Sequence, residues 1–374
     1  MRHLSLFVLL FSGIVGQTQT LPLKGKWGFE TGYVLGTIIR HNPRMNPRPH
    51  GFSHGLEILA LKQTTGLLPE HRKLRRPELG MGFLFLHHHQ QKAFGNLYAI
   101  YGVAHFNLVR SRWVDLIFRL GSGLAFSPAR YHPLNNPENN AIGSLLNSFN
   151  LFGLRLKFKP TGNLNIQLSG LLIHYSNGNV QRPNLGINVP SGQISLQYTP
   201  GMSTATIYRD PVPKVQNPNE FSAQFTIGVQ EYIGLGGPKY PVYGCALSYS
   251  RYTSLINKVT TGWAMEYNMA YFSYYRYFPE ASTLKPAINA FNTSLFIGDE
   301  VMVGRVGIIM QAGFYVYNPI EWQKNPMYVK LGTRVYLNSG KQRERHSAFI
   351  LSHLKSNYFV AQFIEGGAGY GVRW

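Results

Sequence analysis

The sequence predicts an all-β protein, an antiparallel transmembrane β-barrel of the outer membrane. Three observations carry that expectation: the balance of charge and aromatics, a period-two alternation along most of the chain, and an export segment at the N-terminus. The 374 residues include 36 Lys plus Arg against 16 Asp plus Glu, a net charge of +20, yet only 14% are charged and 14% are aromatic. A soluble domain is about one-quarter charged. Mean hydropathy is −0.13, and beyond the N-terminus no stretch approaches the ~18 apolar residues of a spanning helix. This balance excludes disorder and a helical membrane protein, and it argues against a cytosolic α/β enzyme. It suits strands that show one face to lipid and the other to water.

The N-terminus comes first. Met1-Arg2-His3 is a short basic start, Leu4 to Phe11 is apolar, and small residues around Gly13 and Gly16 precede polar Gln17 to Thr20. That order predicts a secretory signal peptide over 1–20, cleaved near 16–20, and export to the outer membrane of a Gram-negative cell. Cys245 is the single cysteine, so no internal disulfide is available, and it is expected as a small apolar strand residue.

The strands follow from parity. Phe152, Leu154, Leu156 and Phe158 alternate with Gly153, Arg155 and Lys157; Phe221, Ala223, Phe225 and Ile227 alternate with Ser222, Gln224, Thr226 and Gly228. Alternation of this kind places residues on opposite faces of a strand. A β-sandwich alternates as well; the export segment and the aromatic last residue, Trp374, favour the barrel. The pattern supports roughly 14 to 16 strands, an even number being the rule in bacterial barrels. The domain expectation is a first barrel region over 21–200 and additional barrel strands over 201–374, which either enlarge that barrel or add a second sheet, with Pro-rich 199–218 as a long turn between the halves. Arg110-Ser111-Arg112 and Lys159-Pro160-Thr161-Gly162 are tight turns, and the segments around 40–51, 127–143 and 177–192 are long. Short turns are periplasmic and long loops external in such barrels.

One strand carries chemistry. Along Asn163 to Ser176, Asn163, Asn165, Gln167 and Ser169 should line the lumen, while Leu164, Ile166, Leu168 and Leu172 should face lipid. The same parity continues the lipid-facing row into His174 and Ser176 at the outer end. A His and a Ser two apart share one face, so the imidazole can take the hydroxyl proton. Polar groups at a lipid interface are costly unless paired or functional.

The run His174-Tyr175-Ser176-Asn177-Gly178-Asn179, followed by Arg182-Pro183-Asn184-Leu185-Gly186-Ile187-Asn188, resembles the signature of outer-membrane lipid A 3-O-deacylases. The resemblance covers roughly residues 24–200. It implies a serine esterase that hydrolyses an ester-linked acyl chain of lipid A, with lipopolysaccharide and outer-membrane lipids as partners and with no cofactor, metal or nucleic acid. It further implies Ser176 as nucleophile, His174 as base, Asn184 as oxyanion donor and Asn177 as a minor substrate contact. The family's acidic residue falls at Asn188, which can orient the ring but offers it no charge. Glu365, the other carboxylate considered, has lumenal parity. A pore, a catalytically inert barrel and a phospholipase are the competing functions. His87-His88-His89 lacks a nearby carboxylate or cysteine to complete a metal site. The Arg40, Arg44, Arg48 and Arg72, Lys73, Arg75, Arg76 clusters are expected in solvated loops, the outer one within reach of lipid phosphates.

Overall fold

A computed structural model describes residues 25–200, 211–232, 234–319, 326–338, 345–357 and 360–374. The expected signal peptide therefore lies outside the described residues. Among the described residues sixteen strands form, all paired antiparallel, and they close twice. The first barrel comprises β1 (Trp27–Gly36), β2 (Ser53–Gln63), β3 (Glu78–His87), β4 (Asn96–Val109), β5 (Val114–Phe126), β6 (Leu146–Phe158), β7 (Leu164–Ser176) and β8 (Ile187–Tyr198). It closes by pairing β1 with β8, from Phe29 opposite Tyr198 to Gly36 opposite Ser191. The second comprises β9 (Asn219–Glu231), β10 (Lys239–Ser254), β11 (Asn257–Asn268), β12 (Phe291–Val303), β13 (Val306–Tyr317), β14 (Met327–Tyr336), β15 (His346–Asn357) and β16 (Val360–Arg373). Here β16 closes on β9.

The expected strand number holds, but the C-terminal half does not enlarge the first barrel. Once β1 and β8 pair, no strand edge remains for β9 to extend, so the following strands close on themselves. Short helices decorate the connections: α1 (Pro69–Lys73) between β2 and β3, and α2 (Met269–Tyr277) and α3 (Pro286–Asn289) between β11 and β12.

Parity sorts the side chains as the alternation requires. Trp27, Phe29, Tyr33 and Leu35 of β1 and Phe221, Phe225 and Ile227 of β9 are exposed. An apolar belt of this extent is the signature of a lipid-facing surface. Cys245 lies exposed on β10, in the same outward row as Tyr243 and Leu247. Eight strands leave an interior that side chains can fill, and both lumens are filled by paired charges. In the first, Arg155 makes two bonds to Glu30 (2.9 and 2.7 Å), Arg119 two to Glu57 (2.9 and 3.0 Å), and Lys157 meets Glu78 at 2.8 Å. In the second, Lys258 bridges Glu220 and Glu300, and Lys330 bridges Glu266 and Glu365. A cavity between Gln224, Glu300 and Arg334 has a volume of only about 20 Å³, room for about one water.

Above the charged layer, Phe149, Leu151, Ile173, Tyr175 and Val189 point inward and pack as part of one apolar cluster. These residues belong to β6, β7 and β8. Their packing fixes the backbones whose opposite faces carry His174 and Asn188.

Candidate active site

Ser176 ends β7, and the lipid-facing row that leads to it is Leu164, Ile166, Leu168, Gly170, Leu172 and His174. His174 Nε2 lies 3.0 Å from Ser176 Oγ, and His174 Nδ1 lies 2.6 Å from Asn188 Oδ1. Because the amide oxygen can only accept, the Nδ1–H donates to it. That leaves the Nε2 lone pair for the serine proton. The loop reading of 177–192 placed Asn188 outside the strands; instead β8 begins at Ile187, and Asn188 is the direct cross-strand partner of His174. Antiparallel partners on one face stand about 5 Å apart at Cβ, which is why a side chain as short as Asn reaches the ring.

The connection 177–186 folds over the pair, so that Ser176 is only 4% exposed although its row faces lipid. Gly186 has φ +78, and a Cβ there would stand 3.0 Å from His174 Cε1 and 3.2 Å from Ser176 Cβ. Glycine is needed at this position for both conformation and clearance. Its N–H donates to the Ala141 carbonyl at 2.9 Å, and a ring nitrogen of His41, Nε2, lies 3.0 Å from the Leu185 carbonyl oxygen.

Asn184 Oδ1 accepts from the Asn177 N–H at 3.0 Å. The amide directly after Ser176 is thus occupied, and any side-chain donation to an oxyanion falls to Asn184 Nδ2. Asn177 is spent inside the loop: Nδ2 donates to Ser144 Oγ and to the Gln181 carbonyl, both at 2.8 Å, and Oδ1 accepts from the Gln181 N–H. The side chain is buried, at 5% exposure, and braces the loop.

A feature that residue patterns did not single out lies beneath the site. Gly170 pairs with Gly192 across β7 and β8, and a Cβ at either would meet nothing within 4 Å. The two glycines open a shallow depression on the lipid face, walled by Leu154, Leu156, Leu168 and Ile194. Gly170 lies four residue steps from His174, about 13 Å along the barrel wall. The signal available in the sequence was a glycine in each of two outward rows, between Leu168 and Leu172 on β7 and between Pro190 and Ile194 on β8.

The remaining candidates separate. Glu365 is buried in the second lumen, 2.8 Å from Lys330 Nζ and 3.0 Å from His353 Nδ1, in agreement with its parity. Of the three consecutive histidines, His88 is fully buried between Ser53 Oγ at 2.7 Å and Tyr175 OH at 2.9 Å. Burial pulls its pKa down to about 4, so it stays neutral and anchors the tyrosine that separates His174 from Ser176. His87 bonds Asn96, and His89 stacks edge-on with His50. Among the described residues no cluster of three metal-ligating side chains occurs.

Residues 58–197 match the family described as Lipid A 3-O-deacylase (PagL), and residues 219–374 match Acyloxyacyl hydrolase, C-terminal domain. Together the two matches span most of the chain: the first runs from within β2 to β8 of the first barrel, and the second covers the second barrel. The chain belongs to the lipid A 3-O-deacylase family. The second half, for which the sequence resemblance offered no counterpart, therefore has one in the C-terminal domain of the acyloxyacyl hydrolases. No curated protein matches the chain. Among solved structures it is similar to CdiB from Acinetobacter baumannii, with 10% identity over 93% of this chain and 60% of that one and a TM-score of 0.19. It is also similar to a mutant Rh. blastica porin, with 8% identity over 94% and 100% and a TM-score of 0.18. A mutant of the TodX monoaromatic hydrocarbon channel gives 9% identity over 93% and 91% and a TM-score of 0.19. The chain thus spans about 60% of the length of the CdiB structure. At these scores the architecture rests on the two closures described above.

Proposed function

We propose that this protein is an outer-membrane serine esterase that removes the ester-linked acyl chain at position 3 of lipid A. The observation that carries the reading is His174 held between Ser176 and Asn188, with an apolar depression along the lipid-facing wall below. Ser176 Oγ attacks the acyl carbonyl carbon while His174 Nε2 takes its proton. Asn184 Nδ2 donates to the oxyanion, an interaction worth about 3–4 kcal/mol where one donor has been removed from a protease. Collapse of the tetrahedral intermediate breaks the ester, and the proton on His174 passes to the departing sugar hydroxyl. Water, deprotonated by the same imidazole, then cleaves the acyl-enzyme and releases the fatty acid.

Asn188 fixes the tautomer throughout without supplying charge, which makes a slow enzyme rather than an inert one. An acyl chain entering from the outer leaflet can lie against Leu172, Gly170 and Leu168 with its carbonyl at the loop. The export of the chain to the outer membrane belongs to the same reading, since the substrate resides there. Filled lumens disfavour a pore, because the ion pairs cross the path that solute would take.

The test is mass spectrometry of lipid A from cells expressing the wild type or Ser176→Ala. The wild type is expected to yield lipid A lighter by one acyl chain and the variant to leave it intact, with both barrels folded. Identical lipid A profiles for the two would overturn the assignment. Loss of fatty acid from glycerophospholipid instead would redirect it to a phospholipase.

A further inference from the structure

The loop 177–186 leaves β7 directly after Ser176, carries Asn184 and returns the chain to Asn188. Its base is tied to the first barrel through Asn177 with Ser144 and Gly186 with Ala141. Its tip is tied to the second. The Asn179 carbonyl accepts a hydrogen bond from the Glu231 N–H, at the end of β9, at 3.1 Å. Asn179 Nδ2 donates to the Gln362 carbonyl on β16 at 3.2 Å. Gly178 lies so close to β15 and β16 that a Cβ built on it would stand 2.3 Å from Ile364 Cγ1 and 3.1 Å from Leu354 Cδ1. Gly178 and Asn179 both adopt left-handed backbone, φ +61 and +68, a conformation that Gly and Asn accept most readily. The tip is therefore shaped to the second barrel in conformation, in hydrogen bonding and in the absence of a side chain. At the opposite end of the barrels, α1 of the first approaches β12 of the second.

We propose that the second barrel is a positioning device for the active-site loop. Ile364, Leu354 and the outer ends of β9 and β16 hold the Gly178–Asn179 tip. Through it they place Asn184 relative to Ser176. The inference rests on the catalytic reading of Ser176 and His174 given above and assigns a role to a barrel that contributes no reacting group. The physical need is plain: an oxyanion donor works by standing in place before the reaction, and a misplacement of about 1 Å can cost about 100-fold in rate. A loop anchored only at its base does not hold its tip to that tolerance.

The experiment uses the full chain in detergent micelles and two independent readouts, amide hydrogen exchange across 177–186 and steady-state deacylation of lipid A. Asn179→Gly keeps the left-handed backbone and removes the bond to Gln362; Ile364→Ala removes the packing surface from the second barrel alone. Each is expected to speed exchange in the loop and to lower kcat about fivefold, the effect of losing roughly one net hydrogen bond or its equivalent, with KM unchanged. Gly178→Ala should impair both readouts, and Ile364→Ala added to it should restore part of the loss, a coupling that only contact across the barrels produces. Unchanged exchange in all variants, additive behaviour of the pair, or a loosened loop with unaltered kcat would overturn the proposal. Coupled exchange effects in a wild type that turns over no lipid A would support the docking and refute the esterase reading instead.

Discussion

Replacing Asn188 by Asp asks how much of the proposed triad's power depends on charge. Asn188 Oδ1 sits 2.6 Å from His174 Nδ1, and the ring's other nitrogen is 3.0 Å from Ser176 Oγ. Aspartate has the same shape, so one carboxylate oxygen takes the Oδ1 position while the β7–β8 register stays as it is. When His174 accepts the serine proton it becomes a cation, which an amide meets with a dipole and a carboxylate meets with a full charge. Two unit charges about 4 Å apart attract by about 4 kcal/mol at an effective dielectric of 20 and about 1 kcal/mol in water. A half-buried pair at the membrane boundary falls between these limits, less the cost of desolvating the carboxylate. The expected acceleration is therefore about fivefold to several hundredfold, below the roughly 10⁴-fold effect of the acid in a serine protease. Asn188→Glu should gain less, since its extra methylene must fold back to reach a nitrogen that is already within contact distance. Asn188→Leu should be slower than wild type, because the ring loses the acceptor that sets its tautomer. Single-turnover release of fatty acid from purified lipid A in detergent measures all three. An Asn188→Asp rate at or below wild type with both barrels folded, or an Asn188→Leu rate equal to wild type, would refute the role given to Asn188.

Three other outcomes follow from the packing. Glu30→Ala leaves Arg155 as a charge buried in the first lumen without its paired carboxylate. It should cost about 3–5 kcal/mol of stability, seen as heat-induced unfolding at lower temperature on a gel-shift assay. Gly170→Val fills open space on the lipid face and should slow hydrolysis of long-chain esters by about fourfold per displaced methylene contact while sparing short ones, given ~0.8 kcal/mol per buried methylene. Equal effects on all chain lengths would remove the depression from the acyl path. His88 has a folded pKa pulled down to about 4 against an ordinary 6.5. The unfolded chain therefore binds a proton first as pH falls, and stability should decline between pH 6.5 and 4 by on the order of 3 kcal/mol. His88→Gln should lose that part of the acid sensitivity; an unchanged denaturation profile from pH 7 to 4 would show that His88 does not carry it.

The sequence by itself determined whatever depends on neighbours along a strand. Phe152, Leu154 and Leu156 face lipid because every second residue must share a face, and the same arithmetic set His174 beside Ser176 and sent Glu365 to a lumen. The family motif added Asn184 and Asn188 as site residues from their spacing alone. Tertiary structure decided whatever depends on which strand edges meet. Parity allowed sixteen strands to form one wide barrel, and only the pairing of β1 with β8 divided them into two. Asn188 looked like a loop residue until the β7–β8 register set it opposite His174. The pairing of Arg155 with Glu30 joins residues 125 positions apart, and the seat of Gly178 on Ile364 joins two separate barrels. Alternation is imposed locally by backbone geometry and is visible in any short window. Closure, register and docking are set by long-range hydrogen bonding and packing, which no local pattern records.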